Sequence, residues 1–433
     1  MDVTDSEGSA AKILNSKDLQ PEGDFPRRVV RVYIAHALSS IGANLLIPCF
    51  FFYAKQIFHW GSRPCLEMVA LEGIVYVVGA LSANQLVARL GRKGALLGIQ
   101  AALALASAVG CIWPNPVLVV AILLTYTLVS AAAWPIYESL ISAGAAPRLL
   151  SRRIGVYNLV WSGLGTVMLA VTGVIVSGFP LGTFLFPLAA HLTALALLSA
   201  GNVEPPKQTG QPAQGPALTH PADALRRQRR LALWLSRLGL PATYTVLYSL
   251  VALMPSLKVI QSFSPVMQTV VASLWMAARF FTFAALGATL WWQTRPRLLL
   301  VAAIVMTFAF LGVTLLPAEL LGGGIRSVTA FDQSWMIAWQ IPLGVSMGLI
   351  YAGSLYFGMV LSEGSTEHGG YHEALIGIGQ IIGPAAALAA EEVRPGDIRI
   401  AICAVTALLG LCLVAELFVT FGQSTVRQGA QSE

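Results

Sequence analysis

The sequence predicts an all-α membrane protein: twelve transmembrane helices in two pseudo-symmetric six-helix bundles. Three observations predict it. Of its 433 residues 56% are apolar and only 11% charged, with a mean hydropathy of +0.70. That is under half the charge of a typical soluble domain, and water-soluble cores cannot absorb so much apolar surface. The apolar residues fall into long runs, and about 20 residues of helix span the hydrocarbon of a bilayer. Finally, the second half of the chain echoes the first.

The twelve runs are 29–54, 66–88, 94–113, 117–142, 155–178, 181–200, 231–254, 265–290, 298–317, 334–360, 370–390 and 398–421. Residues 1–28 form a polar tail with no short apolar core or cleavage site, so they do not read as a signal peptide. Residues 29–200 make the first bundle, 201–230 a linker rich in proline, glycine and glutamine, 231–421 the second bundle and 422–433 a short tail. With the N-terminus inside, Arg27, Arg28, Arg89, Arg92, Lys93, Arg148, Arg152, Arg153, Arg226, Arg227, Arg229, Arg230, Arg295 and Arg297 all lie on the cytoplasmic side. Lys55, Arg63, Lys258, Arg326, Arg394 and Arg399 remain outside. This positive-inside bias places both termini in the cytoplasm and turns the net charge of +6 into topology, not a nucleic-acid site. Cys111, Cys403 and Cys412 lie within apolar runs, Cys49 and Cys65 are close enough along the chain to pair, and no spacing among them suits a metal.

A shift of 214 residues lays 136–165 on 350–379 with eight identities in thirty positions. Ile136, Tyr137, Gly144, Ser151, Gly155, Tyr157, Gly163 and Gly165 meet Ile350, Tyr351, Gly358, Ser365, Gly369, Tyr371, Gly377 and Gly379. The match equates spans 4–5 with 10–11, a parallel repeat of the kind that places a site between two halves near mid-membrane.

The loop after span 2, "NQLVARLGRKGALL", carries Arg89, Gly91, Arg92 and Lys93 in the spacing of a G-x-x-x-D-R-x-G-R-K/R motif. In this topology the chain resembles the major facilitator superfamily over nearly its whole length. The resemblance implies alternating access between two six-helix halves. Asn84 and Ala88 stand where that motif has glycine and aspartate, which leaves Arg89 in need of another partner. Gly379, Gly383 and Pro384 repeat the family's antiporter spacing, but on span 11 instead of span 5, and a tight helix crossing accounts for them equally well.

Ionisable groups in hydrocarbon cost a few kcal/mol, so they mark cavities or partners. Arg279 lies near the middle of span 8, and Gln268, Trp275 and Thr282, at spacings of 7, 4 and 3, share its helix face. Such a stripe serves either a solute or a buried carboxylate. Span 4 offers Thr127, Ser130, Trp134 and Glu138, and span 5 adds Asn158, Ser162 and Thr166. Asn44 of span 1 and Tyr351 of span 10 complete the candidate substrate site. Glu72 and His36 are the candidate proton carriers, His191 is a weaker one, and Glu416 is expected to snorkel.

The stretch "GYHEALIGIGQIIGP" opens span 11 with His372 and Glu373. Ile376 stands where a zinc-binding H-E-x-x-H motif needs its second histidine, and no strand precedes "GIGQIIG" to make a dinucleotide loop. Neither a metal nor a cofactor is expected. His372, Glu373 and Glu138 are instead expected near the cytoplasmic face, where the two glutamates would latch Arg89, Arg92 and Lys93 beside Gly91. No nucleotide-binding motif is present, so transport would draw on a gradient.

The sequence therefore predicts a non-enzymatic secondary transporter of a small polar organic solute, with protons as the candidate coupling ion and sugar-like uptake preferred. Drug/proton antiport and a non-transporting sensor or scaffold are the alternatives. A monomer in a bacterial inner membrane, with the lipid bilayer and a solute as partners, is the expected setting. In a background lacking native cysteines, Gln211→Cys should react with a membrane-impermeant maleimide only in inside-out vesicles, and Gly61→Cys only from the outside. The reverse pattern would overturn the orientation.

Overall fold

The computed structural model describes residues 26–112, 115–205, 220–254, 257–317, 327–394 and 398–429. The tail 1–25, residues 206–219 of the linker, residues 430–433 and the Cys49 side chain lie outside them, so a Cys49–Cys65 bridge does too. Among the described residues every regular element is helical. They are α1 (Arg27–Ile57), α2 (Ser62–Ile112), α3 (Pro116–Ser142), α4 (Pro147–Gly178), α5 (Gly182–Ser199) and α6 (His220–Leu253). Next come α7 (Lys258–Gln261), α8 (Pro265–Ala272), α9 (Leu274–Ala288) and a 3₁₀ turn at Trp291–Thr294. Then follow α10 (Arg297–Thr314), α11 (Ala330–Leu361), α12 (Thr366–Val393) and α13 (Ile398–Gly429).

Eight of these are long and apolar enough to cross a membrane. One of them, α2, has 51 residues, about 77 Å of helix at 1.5 Å per residue, more than twice the hydrocarbon thickness. It cannot run straight, and it does not. Gly91 has φ 69° and ψ 164°, a backbone shape that glycine takes without strain, and it divides α2 into two limbs. Lys93 bonds the carbonyls at the end of α5 while Gly110 packs on Phe184 at its start, so the second limb runs back antiparallel to α5. With α2 counted twice, and α4, α6 and the α8–α9 pair added, the helices match the twelve apolar runs.

Three details differ from the sequence reading. The run 265–290 is not one helix: Ser273 (φ −100°, ψ −3°) separates α8 from α9. The buried Gln340 carboxamide of α11 accepts from the Trp275 backbone N–H just past that break (3.3 Å), supplying an acceptor to a group in the interrupted stretch. The helix α6 starts at His220, well before its apolar run, and α13 continues to Gly429. Helix propagation follows backbone propensity, and "ADALRRQRR" is rich in helix formers although hydrocarbon would reject it.

The internal repeat reappears as geometry. Gly163 of α4 lies against Phe280 of α9, and its sequence match Gly377 of α12 lies against Gly73 and Val77 of α2. Gly165 of α4 meets Asn44 of α1, while its match Gly379 meets Tyr244 of α6. Equivalent glycines thus let equivalent helices approach, in the way small residues drive packing where lipid offers no hydrophobic force between helices.

Glycine meets glycine between α4 and α9, where a β-carbon on Gly155 would stand 2.6 Å from the Gly287 Cα. Gly155→Leu should therefore force the helices apart and lower the thermal midpoint in detergent, with a loss of ~1–3 kcal/mol. Gly98→Ala, where nothing lies within 4 Å, should leave stability unchanged or slightly raised. Equal midpoints for the two variants would refute the crossing.

Candidate functional site

The first limb of α2 runs antiparallel to α12, with Gly370 against Ala80, Gly377 against Gly73 and Gln380 against Val69. That register places Tyr76 beside Glu373, and its hydroxyl donates to the carboxylate. Tyr76 sits midway between Ser62 and Gly91, about 20 Å from either, so Glu373 lies deep in the membrane and not at its face. Gly369, one turn earlier, has no side chain to keep α3 away. A β-carbon there would stand 2.8 Å from Glu138 Oε2. Glu138, His372 and Glu373 thereby converge, each at most 2% exposed, with their donor atoms within 4.8 Å of one another.

His372 Nδ1 pairs with the Ser354 hydroxyl at 2.9 Å, which leaves Nε2 without a hydrogen-bond partner. Neither Glu138 oxygen makes a hydrogen bond of good geometry, although Tyr157 and Glu373 lie against it. Two carboxylates and one imidazole are a donor set that can share a proton or hold a small cation.

Beside this trio sits Arg279 of α9, 4% exposed. Its Nη2 donates to the Tyr244 hydroxyl at 3.0 Å. Its guanidinium carbon lies 5.0 Å from the ring centroids of Trp161 and Tyr351 and 5.4 Å from those of Tyr244 and Phe283. Its Nε has no acceptor, and among the described residues no carboxylate is within ion-pair distance. Tyr351 joins the two groups, since its ring centroid is also 4.8 Å from that of His372.

The other expected residues divide. Asn158 holds the Trp161 indole through its Oδ1 (3.2 Å) and so supports the arginine cage. His36 stacks on Tyr157 at 4.1 Å and meets Trp134 edge-on at 5.7 Å, next to Glu138. Thr127 is buried on α3, and Asn44 bonds its own helix at Ser40. Trp275 is buried against α11 and shares Gln340 with it. Gln268 does not join Arg279: across the Ser273 break it turns to the Phe263 carbonyl at 3.1 Å. Glu72 accepts from the Gln380 carboxamide (3.4 Å). Glu416 does not snorkel; it is 1% exposed, turned inward beside Cys412 and Gly239.

The expected latch is drawn differently as well. Arg92 reaches the Ser139 hydroxyl (3.0 Å) and Glu204 (3.7 Å), and the Lys93 backbone N–H donates to Glu204 (3.0 Å). Lys93 Nζ caps the end of α5 at the Gly201 carbonyl, 2.9 Å away, while Arg89 is exposed. Glu138 and Glu373 take no part: Glu373 is bonded by Tyr76, and Glu138, unlike the adjacent Ser139, turns toward Gly369 of α12. The ring closes across the chain repeat, since the Ser139 hydroxyl donates to the Gly364 carbonyl at 2.7 Å. Sequence reasoning missed Tyr76, Trp161, Tyr244, Ser354 and Glu204. Tyr76 is one turn from Glu72, and Trp161 is one turn from Asn158, which was the available signal.

The same architecture is found in solved transporters. FucP in the outward conformation matches with a TM-score of 0.62 and 12% identity, covering 92% of this chain and 99% of that one. A second crystal structure of FucP, the E. coli fucose:proton symporter, gives 0.59 and 14%, covering 90% and 98%. The human organic anion transporter MFSD10 (TETRAN) gives 0.54 and 14%, covering 92% and 100%. No curated protein sequence matches the chain. Residues 32–384 match the family model of the Major Facilitator Superfamily, and the chain belongs to that family.

Proposed function

We propose that this protein moves a small polar organic solute by alternating access and couples that movement to protons, with Glu138, His372 and Glu373 as the proton site. Its family makes it a multi-pass secondary transporter, not an enzyme. The finer reading rests on one observation, the buried trio with two carboxylates face to face. Both cannot comfortably be ionised in a dry site, and a proton shared between them removes the repulsion. The proton role therefore passes from Glu72 and His36 to this pair, which lies next to the candidate solute site at Arg279.

The moving parts in this reading are residues 29–200 and 231–421, joined by 201–230, with matched glycine contacts in support. The excess of basic residues on one side supports cytoplasmic termini, and the chain length and short loops suit a bacterial inner membrane. Glu204, Arg92, Lys93 and the Ser139–Gly364 bond form the cytoplasmic gate. Fucose:proton symport is known for one protein of this fold and organic-anion transport for another, so the fold alone does not choose the solute. Drug/proton antiport and a sensor without flux are distinguished by the direction, and the existence, of solute movement.

In proteoliposomes, an inward gradient of one pH unit should drive up to about tenfold accumulation of a transported solute at one proton per solute. Glu138→Gln and Glu373→Gln should abolish this accumulation while exchange at equilibrium persists. Accumulation that survives both substitutions would remove the trio from coupling. A second reading, in which a divalent cation occupies the trio, predicts accumulation that follows a Mn²⁺ gradient and ignores pH. At the gate, Glu204→Gln should increase labelling of a cysteine at Ser139 from the cytoplasmic side, and unchanged labelling would argue against the gate.

A further inference from the structure

We propose that the solute is an organic anion, a small carboxylate or sulfonate with a flat apolar body, held by Arg279 in its aromatic cage. The inference rests on the transporter reading above and adds the chemistry of the cargo.

A guanidinium in the middle of a membrane needs a counter-charge. Arg279 has none at contact distance among the described residues. Its partners are one phenol hydroxyl and four ring faces. Ring faces attract a cation but only partly replace lost water. The open Nε, together with the adjacent Nη, presents the parallel N–H pair that planar oxyanions accept in bidentate fashion. A sugar hydroxyl offers neither the charge nor the paired acceptors.

The rings around the guanidinium suit the rest of such a molecule. Trp161, Phe283 and Tyr351 lie 5.4–5.8 Å apart, centroid to centroid, and form an apolar wall beside the charge. They come from α4, α9 and α11, so one bound anion touches both repeat halves. Asn158 fixes the indole through its hydrogen bond.

Glu138 and Glu373 face Arg279 across Tyr351 and give the site its pH dependence. The groups around them are His36 of α1, Tyr76 of α2, Tyr157 of α4, Tyr244, Tyr248 and Arg237 of α6, Arg279 of α9, Tyr351 of α11 and His372 of α12. With a negative charge on the pair, the field at Arg279 is partly balanced and an incoming anion is repelled. With the pair neutralised by protons, the guanidinium is left to the anion. Affinity therefore rises as pH falls, the sign that proton–anion symport requires.

The test is calorimetric titration of the full-length protein in detergent with benzenesulfonate, which stays ionised, its neutral analogue benzenesulfonamide and the cation benzylammonium. Benzenesulfonate should bind at least about tenfold tighter than the other two, and about tenfold tighter at about pH 5.5 than at about pH 8. Arg279→Gln should lose that affinity. Arg279→Lys keeps the charge without the paired N–H groups, so it should bind weakly, and Glu373→Gln should bind with less pH dependence. Equal affinity for sulfonate and sulfonamide, no binding of any of the three, or full affinity in folded Arg279→Gln overturns the assignment. Gradient-driven uptake of a neutral sugar independent of Arg279 would overturn the anion and leave the transporter. Tight anion binding in proteoliposomes that show no flux would do the opposite.

Discussion

Hydrocarbon offers no hydrogen bonds, so a polar group carried into the membrane turns to its own backbone, as Asn44 does, or to another helix. The arrangement at the centre follows from that constraint. Glu373 meets Tyr76 of α2, His372 meets Ser354 of α11, Arg279 meets Tyr244 of α6, and Glu72 meets Gln380 of α12. Each of these contacts joins different helices. The polar residues therefore do for the interior what apolar residues do for a soluble core: they say which helices are neighbours. Among the buried groups left without such a bond, Glu138, His372 Nε2 and Arg279 Nε lie on either side of Tyr351.

That placement sets the scale of the electrostatics. Charges on opposite sides of one ring, in a site that excludes water, are screened far less than at the surface. Charge on the carboxylate pair and charge at Arg279 are therefore not independent. The cage of rings lowers the polarity around them and the tyrosines connect them. In the proposed cycle, this coupling is what lets a proton gradient do work on a solute without any covalent step.

The basic loop shows the same logic at the membrane edge. Ala88 denies the loop its usual aspartate, yet Arg92 and Lys93 still meet an acidic group, Glu204, supplied from just beyond α5. Gly91 makes this possible by stopping the helix so that the following residues turn toward α3 and α5. The carboxylate comes from a segment distant in sequence, so the charge pairing survives the loss of the motif position.

By itself, the sequence determined the helical class, the number of spans, the repeat of spans 4–5 in 10–11 and the residues carrying charge into hydrocarbon. These are one-dimensional properties. Span length is fixed by bilayer thickness, and a buried charge stands out against an apolar run wherever the helix later packs. Arg279, Glu138, His372 and Glu373 were legible for that reason. Which of them meet was not. The sequence reading put Glu138 and Glu373 with the loop arginines and Gln268 with Arg279, because it judged depth from position along a span and assumed an unbroken helix. Tertiary structure decided otherwise through the register of α2 against α12, the break at Ser273 and the close approach at Gly369. A shift of a few ångströms along a helix changes every partner, and that offset is set by packing between helices far apart in the chain, which no local pattern encodes.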